Sequence, residues 1–369
     1  MHPNGKASKQ RDNMLLLINM EYQAPEQSPT SAPSPPRVAI KSVYIDGYKC
    51  LNDFEMRFND GLNIIVGDNE SGKSSILEAV NLAITGKIDD RPVSHALHPH
   101  IFNQSRVSNF FHNLQLNNRA EPPSILIEVR FHDHDIPEIS AMMGGENRLK
   151  DNKAIGLALS IYPDPDVKSE LDEYLNTTNT PHIVPVEYYL CERRYFSGNP
   201  VNHRTIPVKS TYVDTSRHRS IYDPDRHLES LTREILDDTQ RRELSVEFRR
   251  VKQTFEDHPA IKKINADLKS STASISQKDV TLGIDLSPKG SWEKSVTSHL
   301  NKLPFSSNSK GEQSQVKMKL ALKLSDSRSI LLIEEPENHQ SHSKLNELIC
   351  HIDESRSERQ AICTTHNSF

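Results

Sequence analysis

The stretch GLNIIVGDNESGKSSILEAV, at residues 61–80, decides the fold of this chain. An apolar run at residues 62–66 predicts a parallel strand that is covered on both faces. Apolar residues then recur at helical spacing from residue 76 to residue 84, and Gly86 is suited to end the helix. The motif G-x-x-x-x-G-K-S lies between these two segments. Strand, glycine-bounded loop and helix therefore follow one another in the order that a phosphate-binding loop requires.

The loop between strand and helix predicts a triphosphate site. Its backbone N–H groups can point at phosphate oxygens, Lys73 can reach the outer phosphates, and the Ser74 hydroxyl can ligate Mg²⁺. We therefore expect ATP and Mg²⁺ as ligands. The predicted nucleotide contacts in this segment are Gly67, Asn69, Gly72, Lys73, Ser74 and Ser75.

Length and composition limit the class of protein. The 369 residues suffice for one large domain with an insertion or for two domains. A net charge of -5 excludes a wholly basic nucleic-acid coat, so DNA contact would need a local patch. Four widely spaced cysteines without a C-x-x-C motif fit a reducing cytosol and predict a cytoplasmic protein. The apolar residues 14–20 are too short for a secretion signal, and we expect no membrane partner.

Sequence patterns divide the chain into three kinds of region. Residues 1–37 are predicted to form a disordered extension, because residues 21–37 are rich in proline and serine and almost lack large apolar side chains. From residue 38, strand patterns predict a hairpin that leads into the phosphate-binding strand, followed by a mixed α/β region. Apolar residues at three- and four-residue spacing predict a helical insertion at residues 225–270, for dimerisation or DNA contact.

An acidic part of the site is predicted near the C-terminus. In SILLIEEPENH, at residues 329–339, four apolar residues precede Glu334 and Glu335. A buried strand therefore delivers two carboxylates to the end that faces the phosphates in nucleotide-binding sheets. Glu334 is expected to bind Mg²⁺, and Glu335 to orient and deprotonate the attacking water. The alternative is that two exposed glutamates simply end a core strand.

Two further segments complete the predicted site. SSNSKGEQSQVKMKLAL places Ser309, Gly311 and Glu312 at the start of a helix, where an anion can bind. In isolation an ordinary serine cap explains this stretch, but its position shortly before the acidic strand favours the anion site. The strand in QAICTTHNSF, at residues 360–369, follows the acidic strand by one helix. It can lie beside that strand and bring His366 to the γ-phosphate.

These four segments resemble the ABC-type ATPase heads of chromosome-maintenance and RecF-like recombination proteins. More closely, they resemble the ATPase domain of OLD-family (overcoming lysogenization defect) endonucleases. The resemblance rests on GDNESGKSS (Walker A), SKGEQSQVK (signature), LLIEEPENH (Walker B and D-loop) and TTHNSF (H-loop). It is strong over residues 38–86 and 280–369. It implies an α/β fold at residues 38–369, an ABC-type P-loop head with a mixed or parallel sheet core flanked by helices.

The resemblance also implies roles for single residues. Lys73 and Ser74 would bind the phosphates and Mg²⁺, and Glu334 would be the Walker B acid. Glu335 would be the catalytic base, and His366 would be the γ-phosphate sensor. Gln104, which follows the first helix, would be the Q-loop glutamine. The chain departs from the family pattern twice. Lys310 stands where the signature has a small glycine, and Glu334 replaces the usual aspartate.

The partners follow from the same resemblance. In such heads the signature of one protomer closes over the nucleotide of the other, so we expect a dimer or higher oligomer. OLD-like proteins continue after TTH into a Toprim nuclease domain, which is expected here downstream of Phe369 or on a partner chain. The predicted function is an ATP-hydrolysing dimer that regulates a DNA endonuclease in anti-phage defence. The alternative is a nucleotide-switched clamp that hydrolyses ATP slowly and recruits an effector, which Lys310 favours.

DNA is expected as a partner because basic residues concentrate in and before the helical insertion. Such charge runs also occur on solvated helix faces, and Glu229, Glu234 and Asp237 dilute the patch, so both interpretations stay open. The basic residues are Arg193, Arg194, Arg217, Arg219, Arg241, Arg242, Arg249, Arg250, Lys262 and Lys263.

Overall fold

The structure of the chain is a computed structural model. It describes residues 16–19, 38–88, 91–116, 120–133, 136–176, 182–202, 206–214, 237–272, 299–324, 329–355 and 359–366. The chain divides into two compact units. The first is Met1–Arg217 together with Ala321–Phe369, and the second is His218–Leu320.

The described residues form fourteen strands and nine α-helices. The strands are β1 (Leu16–Asn19), β2 (Ile40–Asp46), β3 (Phe54–Arg57), β4 (Leu62–Val66), β5 (Lys87–Ile88), β6 (Arg91–Pro92), β7 (Ile125–Phe131), β8 (Gly156–Pro163), β9 (Tyr189–Tyr195), β10 (Lys209–Asp214), β11 (His299–Leu300), β12 (Leu303–Pro304), β13 (Ser329–Glu334) and β14 (Ala361–Thr365). The helices are α1 (Lys73–Thr85), α2 (Val93–Ala96), α3 (Gln104–Gln115), α4 (Pro137–Ser140), α5 (Lys168–Leu175), α6 (Asp238–Glu256), α7 (Pro259–Thr272), α8 (Lys310–Leu324) and α9 (His342–Ser355).

A mixed five-stranded sheet in the first unit contains the phosphate-binding strand. Its strand order is β1-β4-β14-β13-β10. The last four of these strands are parallel, whereas β1 is antiparallel to β4. Every residue of β13 is buried, as expected for a parallel strand covered on both faces. The predicted α/β class, a mixed sheet flanked by helices, is confirmed.

A second five-stranded sheet in the same unit is antiparallel, with the order β3-β2-β7-β8-β9. The predicted hairpin forms as β2 and β3, but it belongs to this sheet and not to the sheet that contains β4. Helix α1 contacts strands of both sheets. Because it packs on two sides, α1 buries residues around most of its circumference instead of along one stripe.

The N-terminal extension departs from the expected disorder at Leu16–Asn19. These four residues form β1, which pairs with β4 from Leu16 opposite Val66 to Asn19 opposite Asn63. The pairing satisfies backbone N–H and C=O groups that would otherwise be exposed at the edge of the sheet. The other residues of 1–37, apart from these four, lie outside the described part of the chain, so their disorder stays a prediction.

The predicted helical insertion contains α6 and α7 in the second unit. Asp237 begins α6 with a capping box, because its carboxylate accepts the Gln240 N–H at 2.7 Å while the Gln240 side chain accepts the Asp237 N–H at 3.1 Å. Lys262 of α7 pairs with Asp257, in the turn between the helices, at 3.0 Å. Residues 225–236 lie outside the described residues, so the boundaries of the insertion stay a prediction.

One buried side chain ties the last strand to the N-terminal hairpin. The Gln360 amide donates to the carbonyl oxygens of Ile40 at 2.8 Å and Asn59 at 2.6 Å, and it accepts the Ile40 N–H at 2.7 Å. Gln360 is fully buried. These bonds join positions 301 and 320 residues apart and satisfy backbone groups that neither sheet pairs. They hold β14 against the start of the fold and so support the site at its far end.

None of the helices in the described part of the chain combines the length and apolar character that crossing a lipid bilayer requires.

Candidate functional site

The candidate site lies where the parallel strands β4, β13 and β14 end. Val66 at the end of β4 lies opposite Thr365, and Glu334 at the end of β13 lies opposite Thr364. The residues that follow these strands therefore meet at one edge of the sheet. They are Gly67, Glu335 and His366. Open α/β sheets bind ligands at this edge.

The loop that joins β4 to α1 turns sharply at Gly72. The backbone φ of Gly72 is +99°, which side chains rarely tolerate, and a Cβ atom there would lie 3.0 Å from Cys50 Sγ. Within the described residues no side chain caps the start of α1, and its first turn has no acidic residue. The first N–H groups of α1 are therefore available to an anion.

A cavity of about 490 Å³ opens at this loop. Its walls include both predicted catalytic residues, Glu335 and His366. They also include five of the six nucleotide contacts predicted in the loop segment, namely Asn69, Gly72, Lys73, Ser74 and Ser75. The loop and the two C-terminal strand ends therefore form one concave site.

Lys73 connects the loop to the C-terminal histidine. Its Nζ donates to the carbonyl oxygens of Gly67 at 2.7 Å and Asp68 at 2.8 Å, and it lies 3.1 Å from His366 Nδ1. Burial lowers the pKa of Lys73, while the carboxylates of Glu335 and Asp68 oppose that shift. The ammonium group thus binds loop carbonyls that a phosphate would replace.

His366 and Glu335 are in contact through Nε2 and Oε1. Because Nδ1 of His366 faces the Lys73 ammonium, it must act as an acceptor, and Nε2 carries the hydrogen that Glu335 accepts. The second Glu335 oxygen accepts the Asn338 amide at 2.5 Å. Glu335 has a left-handed backbone, with φ at +46°, and its N–H donates to Thr364 O at 3.0 Å. The structure therefore links Lys73, His366 and Glu335 within one chain.

Glu337 supports the histidine from the segment after β13. Its Oε1 accepts the Thr365 hydroxyl at 2.5 Å and the His366 backbone N–H at 3.1 Å. Sequence reasoning assigned no role to Glu337 or Asn338. The signal that points to them is EPEN, residues 335–338, which places the polar side chains of Glu337 and Asn338 directly after the acidic strand, at the ligand-binding edge of the sheet.

Glu334 is almost inaccessible to solvent, with 3% of its surface exposed, and hydroxyl groups bind both of its carboxylate oxygens. Ser74 Oγ donates to Oε1, and the Tyr212 hydroxyl donates to Oε2. Sequence reasoning missed Tyr212, because strand β10 had not been predicted. Its position opposite Leu332 of β13 is visible only in the assembled sheet.

Ser74 and Glu334 fit a magnesium ion. A hydroxyl and a carboxylate are hard oxygen donors, and Mg²⁺ in nucleotide sites needs only one or two protein ligands besides phosphates and water. In the described ranges no group of three or more His, Cys, Asp or Glu residues is arranged to hold a metal ion. The Ser74–Glu334 pair supplies two oxygen donors, the number of protein ligands that Mg²⁺ takes when phosphates and water provide the others.

A turn after β2 forms a further wall of the cavity that sequence reasoning missed. Lys49 and Cys50 line the cavity, and Lys49 pairs with Glu78 of α1. Cys50 Sγ lies 3.6 Å from Ser75 Oγ. Asn103 supports this turn, since its amide donates to Lys49 O at 2.9 Å. The signal in the sequence is the YKC triplet, which interrupts the strand pattern before the hairpin turn.

Gln104 does not line the cavity, so the structure provides no contact for its assignment as the Q-loop glutamine. It is the exposed first residue of α3, and its amide donates to Phe102 O at 3.3 Å. The preceding residue, Asn103, is the one that reaches the turn at Lys49. A Q-loop role for Gln104 stays a prediction.

The signature residues Ser309, Gly311 and Glu312 lie at the start of α8 in the second unit. Ser309 caps the helix. Its Oγ accepts the Glu312 N–H at 3.3 Å, and Glu312 accepts the Ser309 N–H at 3.2 Å. Lys310 is the exposed first residue of the helix. This is the serine cap that had been considered as the alternative to an anion site. Because a capped helix start can also bind anions, the nucleotide role of this segment stays a prediction.

The basic residues considered for DNA contact differ in accessibility. Arg193 is excluded from the set of DNA-contacting residues, because its guanidinium donates to Ile84 O at 2.8 Å at the end of α1. Burial also lowers the pKa of Arg193. Arg194 pairs with Glu192 at 3.1 Å. Exposed positions on α6 and α7 are held by Arg242, Arg249, Arg250, Lys262 and Lys263. Arg217, Arg219 and the side chain of Arg241 lie outside the described part of the chain.

Comparison with known protein families gives a match over most of the chain. A sequence model of a family described as AAA domain matches residues 42–362. Two curated relatives match over short stretches. The Septu protein PtuA of Bacillus thuringiensis is 44% identical over 43 residues, which are 12% of this chain and 11% of that protein. The DNA replication and repair protein RecF of Clostridium acetobutylicum is 38% identical over 48 residues, 13% of each chain. The chain thus spans just over a tenth of the length of these relatives.

Several solved structures resemble the chain along most of its length. An SmcHead bound to the C-winged helix domain of ScpA is 15% identical and covers 89% of this chain and 90% of its own, with a TM-score of 0.41. The recombination mediator protein RecF-ATPrS is 11% identical and covers 91% and 94%, with a TM-score of 0.41. The SMC head domain from Thermotoga maritima is 14% identical and covers 89% of both chains, with a TM-score of 0.35.

Proposed function

The chain belongs to the AAA domain family, and from that premise we propose that it is an ABC-type head that binds and hydrolyses ATP as a dimer. One observation carries this proposal. Lys73 of the phosphate-binding loop contacts His366, and His366 pairs with Glu335. A phosphate-binding cation, a histidine and a candidate base therefore line one cavity at the ligand-binding edge of a parallel sheet.

Four residues of this cavity and the adjacent Glu334 have roles in the proposed reaction. Lys73 exchanges its loop carbonyls for phosphate oxygens of ATP. His366 turns its Nε2 hydrogen from Glu335 to the γ-phosphate, which frees the Glu335 carboxylate. Glu335 then accepts the proton of the attacking water. Ser74 and Glu334 would hold Mg²⁺, which would supply positive charge to the phosphates of the nucleotide.

Dimerisation is part of the proposal because the first unit alone leaves its cavity open to solvent. Ser309, Gly311 and Glu312 of one protomer are proposed to cover the nucleotide bound by the other. The uncapped start of α1 and the capped start of α8 would then contact the same phosphates from two sides. Support comes from the order of the four motifs and from the helix start at Ser309.

A mixing experiment tests the shared site. We expect Lys73→Ala and Ser309→Arg each to abolish ATP hydrolysis alone, because every composite site of each homodimer carries a defect. Mixing equal amounts should restore about a quarter of the wild-type rate, because half of the dimers are then heterodimers with one intact site. ATP hydrolysis is measured for each variant, for the mixture and for wild type at equal total concentration.

Circular dichroism of each variant shows whether it is folded. Two results of the mixing experiment would contradict the proposal in different ways. Full activity of Lys73→Ala alone would refute the assignment of the cavity. Inactive single variants whose mixture stays inactive would refute the sharing of sites between protomers.

The proposed output of the head is control of a DNA endonuclease in anti-phage defence. Support comes from the resemblance of the four motifs to OLD-family endonucleases and from the short match to a DNA replication and repair protein. The nuclease would be a Toprim domain on the same protein or on a partner chain. The exposed basic residues of α6 and α7 are proposed to contact the DNA backbone.

DNA contact through these helices predicts salt-dependent binding. Affinity for duplex DNA should fall steeply as salt rises, because each neutralised phosphate releases a counterion. Arg249→Glu on α6 should weaken binding about tenfold at low salt. Lys168→Glu on α5 of the first unit serves as a charge-matched control and should leave binding unchanged. Fluorescence anisotropy at several salt concentrations measures both effects. Binding that is insensitive to salt would contradict a phosphate-based contact.

The second candidate function is a nucleotide-switched clamp. It is favoured by Lys310, an exposed lysine where the signature of such heads has a small glycine. A charged side chain there can hold the phosphates without allowing the close approach that hydrolysis needs. Tight ATP binding with negligible turnover, with and without DNA, would select the clamp over the hydrolysing head.

A further inference from the structure

Strand β10 brings a tyrosine to the acidic end of β13. The two strands are parallel, and Tyr212 lies opposite Leu332, two residues before Glu334. The Tyr212 hydroxyl donates to Glu334 Oε2, while Ser74 Oγ donates to Oε1. Glu334 is therefore held between the first turn of α1 and a neighbouring strand, with one hydroxyl on each carboxylate oxygen.

The chemistry of Glu334 explains why a second contact is useful. Glutamate has one methylene and one rotatable bond more than the aspartate that is usual at this position. The extra torsion lets the carboxylate adopt more orientations, and fixing it costs conformational entropy at the time of binding. A tyrosine ring, with only two torsions, is a rigid support for the hydroxyl that removes this freedom in advance.

Tyr212 is placed to act through Glu334. Its side chain is half-buried and is not among the residues that line the cavity. Its hydrogen bond leaves Oε1, the oxygen beside Ser74, directed at the loop. A contact on Oε2 therefore sets the direction of Oε1 without occupying the space that a ligand needs.

We propose that Tyr212 is a positioning residue that orients the Glu334 carboxylate toward a divalent cation bound with the nucleotide. Glu334 together with Tyr212 would then do what the shorter aspartate usual at this position does without a hydrogen bond from a neighbouring strand. The inference rests on the proposed function, because it concerns the same site. It adds a residue from a strand outside the four motifs.

Nucleotide binding with and without divalent cation tests this role. Affinity for a fluorescent ATP analogue is measured in excess Mg²⁺ and in EDTA for wild type and Tyr212→Phe. We expect the gain in affinity from Mg²⁺ to fall about tenfold in the variant, which corresponds to ~1.4 kcal/mol. Affinity in EDTA should stay within about twofold, because the phosphate contacts of Lys73 are unchanged. A structural defect would lower both affinities together.

A double-mutant cycle makes the test specific. Glu334→Asp shortens the acid so that it no longer reaches the tyrosine, and Tyr212→Phe should then have no further effect on the Mg²⁺-dependent gain. Tyr162→Phe is the matched control, because Tyr162 also donates to a glutamate, Glu192, at 2.8 Å, but in the other sheet. It should leave the gain unchanged.

The possible results separate the two proposals. A Tyr212→Phe effect that is equal in Mg²⁺ and EDTA, absent, or undiminished in the Glu334→Asp background would overturn the positioning role. If wild type binds no nucleotide under either condition, the proposed function itself fails. If wild type shows a Mg²⁺-dependent gain that Tyr212→Phe does not change, only the inference about Tyr212 fails.

Discussion

Glu335→Gln is expected to lower the rate of ATP hydrolysis about 1,000-fold while ATP binding is retained. Glu335 contacts the imidazole of His366 through its carboxylate, and it lines the same cavity as Lys73. Glutamine keeps the size of the side chain but cannot accept a proton from water at neutral pH. Phosphate contacts of Lys73 and the start of α1 do not depend on this carboxylate, so affinity should change little.

The experiment compares steady-state hydrolysis and nucleotide affinity for wild type and Glu335→Gln. Glu170→Gln, an exposed position on α5, is a control for the loss of one carboxylate and should behave as wild type. Equal hydrolysis rates for wild type and Glu335→Gln would show that Glu335 is not the base. Equally negligible rates with tight binding in both would instead support the clamp.

Lys73→Ala should weaken ATP binding about 100-fold and thereby abolish hydrolysis at moderate ATP concentrations. The ammonium group lies within hydrogen-bonding distance of three acceptors, and its charge has no substitute on the loop itself. Alanine removes the donor to the carbonyls of Gly67 and Asp68, and water that enters the space vacated by the lysine side chain can bind them, so the fold should survive.

Isothermal titration with ATP and Mg²⁺ measures the affinity, and thermal unfolding checks the fold. Lys168→Ala, an exposed lysine of α5, is the control and should bind ATP as wild type does. Unchanged affinity in Lys73→Ala would refute the phosphate-binding assignment. The pair of variants is informative together, since Glu335→Gln should bind without hydrolysing whereas Lys73→Ala should do neither.

Short-range patterns made much of this site predictable. The strand, loop and helix at residues 61–84 are local features, because apolar periodicity and glycine conformational freedom act within a few residues. The single helix between the last two strands predicts that they lie side by side. This prediction is confirmed, because β13 and β14 are paired and parallel. The roles assigned to Lys73, Glu334, Glu335 and His366 stay proposals, but one sheet edge does bring these side chains together.

Other features depended on contacts that local patterns do not encode. The strand Leu16–Asn19 forms because the edge of β4 is available, although the surrounding composition predicts disorder. Gln104 matched a family position by its place after the first helix, but the residue that reaches the cavity turn is Asn103. The sequence predicts Arg193 as a DNA contact, but its guanidinium donates hydrogen bonds to the carbonyl oxygens of Ala83 and Ile84 at the end of α1.

The sequence by itself determined the α/β class and the residue types of the candidate site, because loop, helix and strand types depend on side chains close together in the chain. Only the tertiary structure decided which distant hydroxyls and amides support that chemistry. Tyr212 and Glu334 are 122 residues apart, and Gln360 and Ile40 are 320 apart. Such pairs depend on strand order and register, which arise when both sheets pack against α1 and bury their apolar faces together.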